Sequence, residues 1–374
     1  MKKLFMVVNV DWFFLSHRLP IALEALKRGY DVTVLAIEEE NRGNEIRNYG
    51  LKFIPLPGKR GGVNIITEMY LLKYLIQIYR KEKPDIVHHV AIKPVLYGSL
   101  AARLTKVPKI VNAISGFGSV FIDRASFSMG NYLIRKIYKY ALNHPEMNII
   151  VQNEDDYKLV STFNRVKKDR IFIIKGSGVD LNKFSYTKAE PHKTQIILMA
   201  SRMLFDKGVK EFVSAARKIK SKNQFDAEFI LAGKLDIENK SGIPEDTLRE
   251  WNYEGCIKWI GHQEDMVTLY KKSDIIVLPT SYKEGLPKTL IEACAIGRPI
   301  VTTDVPGCRE VVKNGENGWL VEKGNVEELE TAIIKLIKDE HMRESMGKKA
   351  RAIAEREFSI EKVVRDTFAI YERN

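Results

Sequence analysis

The sequence predicts an α/β protein of two Rossmann-like, doubly wound domains facing a central cleft. Three observations carry this. At 374 residues the chain is long for one core and comfortable for two. Short apolar runs alternate with helical patterns throughout, which argues for parallel sheets covered on both faces. The alternation also breaks near residues 178–188 and then restarts, placing one domain at 1–184 and a second at 185–357.

In the first half, strands are predicted at Leu4–Val10, Val32–Ile37, Phe53–Pro55, Ile86–Val90, Ile110–Ile114, Ile149–Val151 and Ile171–Ile174. Helices fall between several of them, at Leu19–Arg28, Ile65–Lys81 and Leu96–Leu104. In the second half, strands at Gln195–Met199, Ala227–Ala232, Ile257–Trp259, Ile275–Leu278 and Ile300–Thr302 alternate with helices at Lys210–Lys220, Asp265–Lys271, Thr289–Ile296 and Val326–Lys338. A last helical pattern, within 358–374, is expected to pack back on the first domain.

Composition narrows the class. Hydrophobic residues make up 45% and charged residues 29%, as in ordinary globular proteins. Cys256, Cys294 and Cys308 show no paired spacing, so reduced, buried thiols are expected and no zinc site. The apolar run after Met1-Lys-Lys is ended by Asp11, too early for a signal peptide, and no 18-residue apolar run exists. The net charge of +12 is lopsided: residues 1–185 carry 29 Lys and Arg against 17 Asp and Glu, and the remainder 31 of each. An anionic partner for the first domain alone follows, either a membrane surface or nucleic acid. Nucleic acid is disfavoured, because no binding motif or stacking platform is evident.

Ligands of doubly wound sheets bind beyond the carboxyl ends of the strands, so the loops there are the place for chemistry. After Ile275–Leu278 comes Tyr282-Lys-Glu284-Gly285-Leu286-Pro287-Lys-Thr289-Leu290-Ile-Glu292, a loop opening a helix. Free N–H groups at such a start bind anions, with Glu284 and Glu292 on either side to accept from hydroxyls. An acidic helix start favoured by the dipole alone fits the same residues. After Gln195–Met199, Arg202 and Lys207-Gly208 offer a guanidinium fork and a mobile ammonium, a pair suited to a diphosphate. Gly233 and Gly261 follow two further strands, where glycine permits close backbone approach.

Taken in order, Gly178-Val-Asp-Leu-Asn-Lys-Phe184, Arg202, Lys207-Gly208, Gly233, Gly261 and the Glu284/Glu292 pair enclosing seven residues resemble the retaining glycosyltransferases of family 4, across the whole chain. The resemblance implies GT-B architecture and sugar transfer from a nucleotide donor with retention and without a metal. It makes Arg202 and Lys207 the diphosphate ligands, with the helix start near Thr289 and Leu290. It gives Glu292 the ribose hydroxyls and Glu284 the donor sugar.

The first half matches less closely. In place of a glycine-rich loop after the first strand stands a long aromatic loop, Asn9-Val-Asp-Trp12-Phe13-Phe14-Leu-Ser-His17-Arg18, which fits core packing or an acceptor contact. His88 and His89 point to opposite faces of one strand, which disfavours a shared metal; His89, nearer the strand end, is the candidate to reach the cleft. Lys93 fits an acceptor phosphate or a solvated helix start, and Gly116 and Gly118 fit a ligand-approaching loop. His17, Lys93, Gly116 and Gly118 are therefore the acceptor candidates. Residues 127–142, with Arg135, Lys136 and Lys139 among aromatics, and Ile65–Lys81 fit either surface helices or a bilayer contact.

The leading expectation is transfer of a hexosyl or N-acetylhexosaminyl group from a UDP-sugar to a polyprenyl-diphosphate-linked saccharide, in bacterial capsule, O-antigen or related glycan assembly. The expected location is cytoplasmic, peripheral on the inner face of the cell membrane. A UDP-sugar 2-epimerase of the same architecture, and a non-catalytic nucleotide-sugar or nucleic-acid binder, are the alternatives.

Overall fold

A computed structural model describes residues 1–59, 64–116, 129–144, 146–163, 165–189, 193–237, 239–282 and 285–373. The chain forms two compact units, Met1–Ser177 with Glu361–Asn374, and Gly178–Ile360. Residues 178–184 thus cluster with the second unit, whose core includes Val179 and Phe184.

The first unit runs β1 Lys3–Val10, α1 Asp11–His17, α2 Leu19–Lys27, β2 Asp31–Ile37, α3 Gly43–Asn48, β3 Lys52–Pro55, α4 Ile65–Glu82, β4 Ile86–Val90, α5 Ile92–Thr105, β5 Lys109–Ala113, α6 Met129–Leu142, β6 Asn148–Val151, α7 Glu154–Ser161 and β7 Ile171–Ile173. Its strands pair in parallel in the order β3-β2-β1-β4-β5-β6-β7. The direction of winding reverses between β1 and β4, which makes their carboxyl ends the switch point. Both faces are covered: Phe5, Val7 and Val87 enter one apolar cluster, Leu4, Met6 and Val8 the other.

One element differs from expectation here. The segment read as an aromatic loop contains the helix α1, starting directly at the end of β1. Asp11, fully buried, holds it: its carboxylate accepts from Trp12 N–H at 2.8 Å and from Arg42 N–H at 3.0 Å, pinning the loop after β2. Phe14 enters the core, whereas Trp12 donates from Nε1 to Glu39 at 2.6 Å and Phe13 stacks on His17 one turn later, centroids 4.3 Å apart.

The second unit runs β8 Gln195–Ala200, α8 Val209–Ser221, β9 Ala227–Ala232, α9 Glu245–Tyr253, β10 Lys258–Trp259, α10 Met266–Lys272, β11 Ile275–Leu278, α11 Lys288–Ile296, β12 Ile300–Thr303, α12 Pro306–Val311, β13 Gly318–Val321, α13 Val326–Lys338 and α14 Glu340–Glu357. Its parallel order, β10-β9-β8-β11-β12-β13, repeats the winding of the first, with the switch point between β8 and β11. Cys256, Cys294 and Cys308 are buried free thiols in this core. The final helix, α15 Ile360–Glu372, sends Val363, Phe368, Ile370 and Tyr371 into the core of the first unit beside Leu4, Met6 and Tyr30.

Candidate functional site

In the second unit, the loops after β8, β9, β10 and β11 are tied to one another at the carboxyl edge of the sheet. The Asp206 carbonyl, in a short 3-10 turn at Phe205–Lys207, accepts from Ser281 N–H at 2.8 Å, Tyr282 N–H at 3.1 Å and Thr280 Oγ1 at 3.1 Å. Gly208 follows at φ 80°, and a Cβ there would lie 2.0 Å from the Pro279 carbonyl oxygen. Only glycine allows the β8 and β11 loops to touch in this way. Thr289 closes the same seam from the first turn of α11, its hydroxyl donating to the Ala200 carbonyl at 3.0 Å.

On the other flank, Gly233 N–H donates to the Gly261 carbonyl at 2.7 Å, and Trp259 Nε1 donates to the Gly233 carbonyl at 3.2 Å. The two glycines therefore share one backbone junction. The cations sit on this scaffold. Lys207 Nζ lies 5.9 Å from the Tyr282 ring centroid, and Arg202 Nη1 donates to Asp236 at 2.5 Å. Asp236 was not foreseen, although an acid three residues past a strand-end glycine is a signal the sequence does contain.

The helix start expected near Leu286 or Pro287 is at Lys288, with Pro287 as the N-cap residue and Gly285 and Leu286 in the approach. Leu290 does not offer itself to a ligand. Its side chain is fully buried, and its N–H is spent on the Pro287 carbonyl at 3.1 Å, so it anchors the turn. Glu284 lies outside the described residues. Glu292 faces inward at 9% exposure, accepting from Tyr270 Oη at 3.2 Å with Lys288 Nζ at 3.8 Å. Burial raises its pKa from the ordinary glutamate value, opposed by Lys288 and the Tyr270 hydrogen bond.

The first-unit candidates are not brought together by any contact among the described residues. His89 is a correction: it is completely buried, Nδ1 bonded to Asn112 at 2.8 Å and Nε2 to Tyr79 Oη at 3.0 Å. Burial lowers its pKa to about 4, so the ring is neutral at physiological pH and belongs to the core. His88 points the other way, to Tyr371 Oη at 2.5 Å. Lys93 is neither a free phosphate ligand nor a solvated cation. Its ammonium is 2.6 Å from Glu68 of α4, a carboxylate that is itself buried.

Gly116 sits at φ 101° beyond β5, while Gly118 lies outside the described residues. His17 ends α1, half-buried, with Nδ1 2.7 Å from Ser16 Oγ. Between β4 and α5, Ala91 adopts φ 75° and ψ 168°, a region that is essentially glycine-only, so this unit's switch point carries a strained turn the sequence does not announce.

Against known proteins, residues 3–153 match the family model described as glycosyl transferase 4-like, and residues 180–353 that described as glycosyl transferases group 1. The chain is 31% identical over 358 residues to the N,N'-diacetylbacillosaminyl-diphospho-undecaprenol alpha-1,3-N-acetylgalactosaminyltransferase of Campylobacter jejuni, covering 90% of this chain and 92% of that one. It is 27% identical to the capsular polysaccharide biosynthesis glycosyltransferase CapM of Staphylococcus aureus, over 92% and 90% of the two chains. Among solved structures, Anabaena HepE in complex with UDP superposes with a TM-score of 0.79 over 100% of both chains at 17% identity, a likeness of fold.

Proposed function

The chain belongs to the family 4 glycosyltransferases, and from that premise we propose that it moves a hexosyl or N-acetylhexosaminyl group from a UDP-sugar to a polyprenyl-diphosphate-linked saccharide, with retention and without a metal. The observation that carries the donor half is the junction of the β8 and β11 loops, which brings Lys207 and Tyr282 together through the Asp206 carbonyl. The acceptor half is supported by the undecaprenol-linked substrate in the name of the Campylobacter relative.

In this reading Arg202, Lys207 and the start of α11 take the donor diphosphate, and Glu292 takes the ribose hydroxyls. As the bond from the anomeric carbon to the phosphate oxygen breaks, negative charge grows on the leaving group. Fixed cations and N–H dipoles lower that barrier because they need no reorganisation. The acceptor oxygen bonds to the anomeric carbon from the same side, and its proton passes to a departing phosphate oxygen. Glu284 orients the donor sugar. Phosphate charge is met by side chains and backbone, so no step calls for a metal.

The test is a panel of UDP- and GDP-sugars offered with a polyprenyl-diphosphate glycan extract and read by mass spectrometry of the lipid. One UDP-sugar should add one hexose or N-acetylhexosamine to the lipid. Conversion of the donor to an epimer without acceptor would replace the reading with a 2-epimerase.

The same reading places the protein peripherally on the cytoplasmic face of the membrane. No helix among the described residues is long and apolar enough to cross a bilayer. At the start of α4, Ile65, Ile66, Met69 and Tyr70 are 56–79% exposed, and Lys73, Arg80 and Lys81 are exposed further along the helix. Apolar groups beside cations suit an anionic headgroup layer. On α6, Tyr140 is exposed but already engaged by Arg103, 4.8 Å from its ring centroid, so α4 supports the contact better. Ile66→Glu combined with Met69→Glu should reduce co-sedimentation with vesicles containing anionic phospholipid, and unchanged sedimentation would remove α4 from the membrane contact.

A further inference from the structure

Asp236 stands on the loop after β9, three residues beyond Gly233. Its side chain is 8% exposed, while that of its partner Arg202 is 39% exposed, and their contact of 2.5 Å spans the β8 and β9 loops. The carboxylate is thus fixed in the protein and the guanidinium projects from it. The loop that carries Asp236 is itself firmly held. Met203 N–H donates to the Lys234 carbonyl at 3.1 Å, Phe205 N–H to the Ser241 carbonyl at 2.8 Å, Asp206 N–H to Ser241 Oγ at 2.9 Å and Ile243 N–H to the Met203 carbonyl at 3.0 Å.

Asp236 uses only Nη1 of the guanidinium. The edge formed by Nε and Nη2 makes no hydrogen bond among the described residues, and that edge has the spacing of two phosphate oxygens. An arginine held in one rotamer before the ligand arrives loses less freedom on binding than a loose one.

We propose that Asp236 is a positioning residue for the donor: it holds Arg202 by Nη1 and presents the Nε–Nη2 edge to the donor diphosphate. This rests on the reading that Arg202 meets that diphosphate. Asp236 does not touch the donor itself, and its negative charge is offset by the guanidinium it holds.

The experiment titrates UDP into the full-length protein and into Asp236→Ala, Asp236→Asn, Arg202→Ala and the Arg202→Ala/Asp236→Ala double variant, with melting temperatures measured alongside. Each alanine variant should weaken UDP binding about tenfold or more, the size of one charge-assisted contact. Asp236→Asn should recover part of the loss, because its amide oxygen still accepts from Nη1. The double variant should bind like Arg202→Ala, since a tether has no effect once the tethered group is gone.

Wild-type or tighter binding by Asp236→Ala, with Arg202→Ala weakened, would overturn the positioning role and leave the Arg202 reading standing. A double variant that loses both factors in full would also overturn it, by showing that Asp236 merely supports the loop. Wild-type binding by Arg202→Ala would remove Arg202 from the diphosphate, and the positioning role with it.

Discussion

Glu284→Ala is expected to lower sugar transfer by about 10²–10³-fold, the size of losing one group that acts on the charge of the transition state. UDP affinity should stay within about twofold of wild type, because nucleotide binding is carried by other groups and only transition-state contacts change turnover alone. The melting temperature should also hold. Although Glu284 lies outside the described residues, Tyr282 N–H is fixed to the Asp206 carbonyl at 3.1 Å on one side and Pro287 caps α11 on the other. Turnover measured with the donor and acceptor found by the sugar panel, beside a UDP titration, checks this. Wild-type turnover would take Glu284 out of the site.

Gly233→Ala should damage fold and donor binding together. An added Cβ would lie 1.7 Å from the Ser201 carbonyl oxygen and 2.8 Å from Met203 Cε, at a backbone φ of 149°. The first neighbour is backbone, so it cannot swing aside as a side chain end would. The β8 and β9 loops must part, breaking registers such as Ser201 N–H to the Ala232 carbonyl at 3.0 Å. Overpacking and a forbidden φ together cost about 3 kcal/mol or more. For a unit of this size that is a fall of roughly 6–12 °C in melting temperature. UDP affinity should fall at least about tenfold, as Arg202 moves with its loop. Gly261→Ala is the control. Its Cβ meets open space, leaving only the strain of φ 67°, about 1–2 kcal/mol. Equal melting of the Gly233 variant and wild type would deny the close approach.

The fold was legible where apolar runs were continuous. β11 was bounded correctly because Ile275–Leu278 is an unbroken run of apolar, buried residues; β4 was bounded correctly too, by the apolar residues on either side of His88 and His89. β13 was missed: it opens on Gly318, a poor strand former, retained because a Cβ would come 2.0 Å from the Ile300 carbonyl oxygen of β12. α14 was missed because its buried face is small, with Gly347, Ala350 and Ala354 letting it approach α11 so closely that a Cβ on Gly347 would sit 2.3 Å from the Gly297 carbonyl oxygen. A hydrophobic periodicity in which only Met346 and Ile353 stand beside glycine and alanine is faint.

Of the candidate site, the second-unit loops were legible because glycine and paired cations at strand ends mark a need for close approach and anion charge. His89 and Lys93 misled for one reason. The sequence shows a titratable group near a strand end but not its partner, and Tyr79, Asn112 and Glu68 arrive from other elements. Asp236 stands in plain view past a strand-end glycine, but its partner does not, since its meaning lies in a contact made across two loops.

The return of α15 to the first unit bears on the order in which the protein is made. Residues 178–360 leave the ribosome as an unbroken stretch holding everything the second unit needs. The first unit, although it emerges earlier, completes the cluster that holds Leu4, Met6 and Val8 only when Val363, Phe368, Ile370 and Tyr371 join it. The usual vectorial order, first domain folded first, is therefore reversed at the final step. Until the last helix docks, the nascent first unit lacks four buried side chains of that cluster, which Phe14, Ile21, Ala22 and Ala25 share.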